Sequence, residues 1–141
     1  KYLAYLNLSF NSIELIDSNK FGKLSSLSNL DMSHNKISFI GKLAFSNNIK
    51  LVNFNLSHNQ IKTFNKDLFG NNIYSQSKLS ELILNNNKLK KIDLFINFQN
   101  SEGWLNLENN LLLEYPQTLS ITTSLPYLTI KNNKINKIRP S

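Results

Sequence analysis

The chain has 141 residues, which suits one domain or part of one at ~100–200 residues per domain; Leu, Ile, Val and Phe supply 48 of them, enough apolar surface for a packed core. The absence of cysteine excludes disulfide scaffolds, cysteine zinc sites and thiol catalysis, and no apolar run approaches the ~20 residues of a bilayer-spanning helix or the pattern of a signal peptide. The net charge is +7, but fifteen of the sixteen basic residues are dispersed lysines and Arg139 is the only arginine, which reads as a solvated surface and not as phosphate or base readout.

Taken from the N-terminus, the chain repeats itself. Leu3, Leu6, Leu8, Asn11 and Ile13 set a template L-x-x-L-x-L-x-x-N-x-I, and Leu27, Leu30, Met32, Asn35 and Ile37 repeat it. The template returns at Leu51, Phe54, Leu56, Asn59 and Ile61, and again at Leu79, Leu82, Leu84, Asn87 and Leu89. A weaker copy has Leu105, Leu107, Asn110 and Leu112, with Glu102 where the first leucine belongs, and the last has Leu125, Leu128, Ile130, Asn133 and Ile135. The asparagines are spaced by 24, 24, 28, 23 and 23 residues. Boundaries fall at about 1–26, 27–50, 51–78, 79–101, 102–124 and 125–141. Both ends lack the polar-faced capping unit of a solenoid, so an interior stretch of a longer array is expected.

Within each copy, alternation around Leu6-Asn7-Leu8 and its equivalents places the apolar residues on one face, the pattern of a short half-buried strand. A unit of ~24 residues cannot bury that face alone, so the units must stack, with parallel strands ~4.8 Å apart. Asn11, Asn35, Asn59, Asn87, Asn110 and Asn133 stand where the chain leaves each strand. Their amides can satisfy backbone groups that the turn would otherwise bury unpaired. The remaining asparagines, Asn47-Asn48 among them, read as polar turn positions and compositional bias. Four additional residues between Gly70 and Lys78 imply a bulging loop.

This pattern resembles the leucine-rich repeat family over essentially the whole chain. Phe21, Phe45 and Phe69, ten residues after their asparagines, with Ile16, Ile40 and Phe64 five after, are similar to the 24-residue class of Toll-like receptor ectodomains and other extracellular recognition proteins; the phenylalanine feature fades in the last three repeats. The resemblance implies an α/β-type solenoid, a right-handed coil with a parallel sheet on its concave face and an irregular or short-helical convex side.

No nucleophile elbow, phosphate loop or H-E-x-x-H motif is present, so no catalytic residue, cofactor or metal is expected. His34 and His58 should lie about one strand spacing, ~5 Å, apart, and read as residues that end a repeat strand, since no third ligand shares their register. Asn7-Leu8-Ser9 and Asn55-Leu56-Ser57 fit the N-glycosylation pattern while also following the repeat template; Asn7 and Asn55 are taken as acceptors, Asn55 the surer. Alternation puts Glu81, Ile83, Trp104, Glu108, Tyr127 and Lys131 on the open face of the last three repeats, an aromatic patch rimmed by charge of the kind interfaces enrich. Trp104 has two readings: an exposed anchor, or a ring tucked into the gap left by the missing leucine. The expected function is non-catalytic recognition of a protein ligand or co-receptor by an extracellular or cell-surface ectodomain, without nucleic acid or membrane contact in this segment. The alternative is a cytoplasmic leucine-rich-repeat scaffold or regulator of an enzyme complex.

Overall fold

A computed structural model describes residues 2–70, 78–93, 98, 103–116 and 127–138. The strand expected at each repeat forms in all six copies: β1 (Tyr5–Asn7), β3 (Asn29–Asp31), β5 (Asn53–Asn55), β7 (Glu81–Ile83), β9 (Trp104–Asn106) and β10 (Tyr127–Thr129). They make one parallel sheet in the order β1-β3-β5-β7-β9-β10, with template positions aligned: Leu6, Leu30, Phe54, Leu82, Leu105 and Leu128 form one continuous row. Past the asparagine turn, two-residue segments that each hold a buried Ile or Phe form a second set of short strands, β2 (Leu15–Ile16) with β4 (Phe39–Ile40), and β6 (Phe64–Asn65) with β8 (Ile92–Asp93), again parallel. One 3-10 turn, Lys66–Leu68, is the only helical element among the described residues. The chain is a β-solenoid.

The core lies between the main sheet and the return side of each coil. From the sheet, Leu30, Met32, Phe54, Leu56, Leu82, Leu84, Leu105 and Leu107 are buried. From the opposite side come Phe21, Phe45 and Phe69. Phe21 and Phe45 stack with centroids 5.4 Å apart, and Phe45 meets Phe54 edge-on at 4.8 Å, which ties adjacent coils and the two sides together. Leu6, Leu8, Leu128 and Ile130, expected to be buried, are only partly so, because their strands are the outermost of the sheet and have a neighbour on one side only.

Two glycines mark places where no side chain fits. A Cβ on Gly41 would lie 2.5 Å from the backbone nitrogen of Ser18 one coil earlier. A Cβ on Gly103 would lie 2.6 Å from Cβ of Phe98, itself fully buried. Phe98 therefore packs against the entry to β9. Glu102, the bulge expected between Gly70 and Lys78, and Leu125 lie outside the described residues.

Candidate protein-interaction surface

The repeat asparagines hold the coils in register. Nδ2 of Asn59 donates to Leu56 O (3.1 Å) and Ser57 O (3.2 Å) of its own coil and to Met32 O (3.0 Å) of the preceding one, while Oδ1 accepts from the Ile37 backbone N–H at 2.9 Å. Asn35, Asn87, Asn110 and Asn133 make the same set with their neighbours; their Oδ1 atoms accept from the backbone N–H of Ile13, Ile61, Leu89 and Leu112. One amide thus satisfies backbone groups of two coils at once, and Asn35, Asn59, Asn87 and Asn110 are buried. Asn11 is exposed, and among the described residues its amide bonds only to Leu8 O and Ser9 O. Asn48, which the sequence presented as an ordinary turn residue, is a further cross-coil bridge: buried, it donates to Phe21 O at 3.1 Å and Leu24 O at 2.8 Å.

Beside this ladder runs a second one. Phe10, His34, His58, Asn86, Asn109 and Asn132, each just before a repeat asparagine, all have φ between 52° and 56°. Asn and His tolerate this left-handed turn better than most residues, so the residue types were a usable signal. Phe10 stacks on His34 and His34 on His58, each at 4.2 Å; Asn86 Nδ2 lies 3.2 Å from His58 Nε2, and Asn132 Nδ2 donates to Asn109 Oδ1 at 2.9 Å. Burial first, then the charge of His34, hold the His58 pKa below the ordinary histidine value. Among the described residues no group of three His, Asp or Glu side chains could hold a metal ion.

The open face of the main sheet carries two outward residues per strand. Register aligns Tyr5, Asn29, Asn53, Glu81, Trp104 and Tyr127 in one row, and Asn7, Asp31, Asn55, Ile83, Asn106 and Thr129 in the other. The second row is tied down locally: Oδ1 of Asn7, Asp31, Asn55 and Asn106 accepts from the backbone N–H two residues later, at 2.8–3.0 Å. In the first row Tyr5, Trp104 and Tyr127 are exposed, at 61%, 36% and 61%. Trp104 thus lies on the open face, and Phe98 is the ring that packs inside against Gly103. Of the other expected contact residues, Glu81, Ile83 and Glu108 are half-buried and Lys131 is exposed. The two sequons differ. Asn7 is exposed and also accepts from the Ser9 hydroxyl at 2.7 Å, whereas Asn55 is half-buried and Ser57 is buried. Asn7 lies on the outermost strand β1 and Asn55 on β5, between two neighbours, which accounts for the difference in exposure.

A cavity of about 20 Å³ lined by Phe45, Asn48, Ile49, Leu51, Phe69 and Leu79 has room for a water-sized group, not a substrate.

Residues 1–37, which hold β1, β3 and the first two ladder asparagines, match the family model described as leucine rich repeat, and the same aligned strands and asparagine bonds recur through β10. The chain carries leucine-rich repeats. No curated protein matches the sequence. Leucine-rich repeats generally serve as non-catalytic modules that bind other proteins, and no helix among the described residues is long and apolar enough to cross a membrane.

Proposed function

We propose that this leucine-rich repeat chain is a protein-recognition segment of an extracellular receptor, co-receptor or adhesion protein, and that its partner docks on the open face of β7, β9 and β10. The observation that carries the reading is the pairing of Trp104 with Tyr127 on adjacent strands. Both rings are exposed on the outer side of a sheet whose inner side is packed, and rigidly mounted Trp and Tyr residues are the commonest binding hot spots. Half-buried Ile83 adds an apolar contact beside them. The first three strands present mainly Asn, Asp and Ser, with sequons at Asn7 and Asn55 whose glycans would cover that half of the face. The phenylalanine-bearing 24-residue repeats, similar to those of Toll-like receptor ectodomains, support the extracellular placement.

Affinity for the partner tests the site. Trp104→Ala should weaken binding about thirtyfold, from a hot-spot loss of ~2 kcal/mol, with the fold retained, while Tyr5→Ala changes it little. Equal affinities for the wild type and Trp104→Ala would remove the site. Mass spectrometry of the native protein tests the placement: unmodified Asn7 and Asn55 together would favour a cytoplasmic scaffold.

A further inference from the structure

The open face departs from the charge of the chain that carries it. The chain is +7, yet along the two outward rows and the residues that follow each strand (Ser9, Ser33, Ser57, Asn85, Glu108, Lys131) the charged side chains are Asp31, Glu81, Glu108 and Lys131. Three negative charges against one positive leave the face net acidic. The three carboxylates are not equivalent. Asp31 Oδ1 accepts the Ser33 backbone N–H, and Glu108 faces a lysine, Lys131, at the equivalent position of the next coil, with no ion pair between them among the described residues. Glu81 stands between Asn53 and Trp104, both uncharged, in its row. It is half-buried, and no ion pair among the described residues includes it.

A half-buried carboxylate flanked by an exposed indole is a two-part cation receptor. The indole face attracts a cation through its quadrupole, the carboxylate supplies a charge-assisted hydrogen bond, and strands ~4.8 Å apart put both within reach of one side chain. An acidic partner segment would instead bury Glu81 against like charge, and a phosphate backbone would do the same. We propose that Glu81 and Trp104 together receive a lysine or arginine side chain of the protein partner, with Tyr127 as the neighbouring aromatic wall. This rests on the open-face reading and adds the chemistry of the occupant. Because the chain as a whole repels cations at long range, the recognition is short-range and local to this pair.

Trp104 is the single tryptophan, so its fluorescence reports this site alone. Hexa-arginine peptide titrated into the chain should give a saturable change in emission, while hexa-glutamine and hexa-glutamate should not. Glu81→Gln should raise the half-saturation concentration at least fivefold, and Glu81→Lys should abolish the response, with unchanged circular dichroism in both. Adventitious binding of a polycation elsewhere is opposed by the net charge and would leave the Glu81→Gln titration identical to wild type. That identity, the lack of any saturable response, or a response to hexa-glutamate would overturn the proposal. If Trp104→Ala weakens binding to the protein partner and Glu81→Gln does not, the cation assignment falls while the open-face reading stands; if neither does, both fall.

Discussion

Replacing Asn59 with alanine removes one amide and four hydrogen bonds, but the structure makes the damage smaller and more specific than that count. Each carbonyl that loses the amide keeps another donor. Met32 O still receives Asn35 Nδ2, Leu56 O still receives Asn87 Nδ2, and Ser57 O still receives the His34 backbone N–H. The Ile37 N–H, on a residue with no exposed surface, loses the acceptor that Asn59 Oδ1 provides. Leaving one buried donor unpaired costs about 1–3 kcal/mol. For a chain of this length that lowers the melting temperature by roughly 3–12 °C, at ~3–4 °C per kcal/mol. Asn53→Ala is the matched control: the same chemical change on a half-buried open-face residue with no side-chain hydrogen bond among the described residues, expected to stay within ~0.5 kcal/mol. Urea unfolding of the two variants beside the wild type measures both. Equal losses for Asn59→Ala and Asn53→Ala would refute the role given to the ladder.

Gly41→Ala forces a Cβ to 2.5 Å from the Ser18 backbone nitrogen; overpacking against backbone costs about 1–3 kcal/mol, so its urea midpoint should fall clearly below wild type, and an unchanged midpoint would contradict the close approach. If the chain passes through the secretory pathway, peptide mapping of the native protein should find sugar at Asn7 or Asn55, and both asparagines unmodified would count against the extracellular placement. His58 has a lowered pKa in the fold, so the unfolded chain binds more protons and stability contributed by the neutral ring falls as pH drops through about 6.5. In His58→Asn that part of the pH dependence should vanish from urea midpoints taken at pH 7.5 and 5.5. An NMR titration placing the His58 midpoint above the ordinary histidine value would reverse the sign.

The solenoid was legible because its determinants are local and periodic. A leucine every two residues along the strand and an asparagine every 23–28 residues leave one way to bury the apolar row, and Leu30, Phe54 and Leu82 lie in it as the register demands. The outermost rows were misjudged because burial at Leu6 or Ile130 depends on a neighbouring coil and not on the residue's own pattern. Trp104 could not be placed from sequence, since its orientation turns on Phe98 and Gly103, five residues apart and outside the template. The Asn48 bridge stayed hidden because a buried and a solvated asparagine look alike in composition. Stacking of Phe10, His34 and His58 was only partly foreseen: the histidines' proximity follows from register, whereas their parallel rings follow from a left-handed backbone turn repeated in each coil.

Site-specific photo-cross-linking tests the central claim most directly. A photoreactive phenylalanine analogue placed at Tyr127 on the open face should give a covalent adduct with the protein partner, and the same analogue at Phe39, exposed on the flanking strand β4, should give none. Adducts formed from Phe39 and absent from Tyr127 would contradict the account.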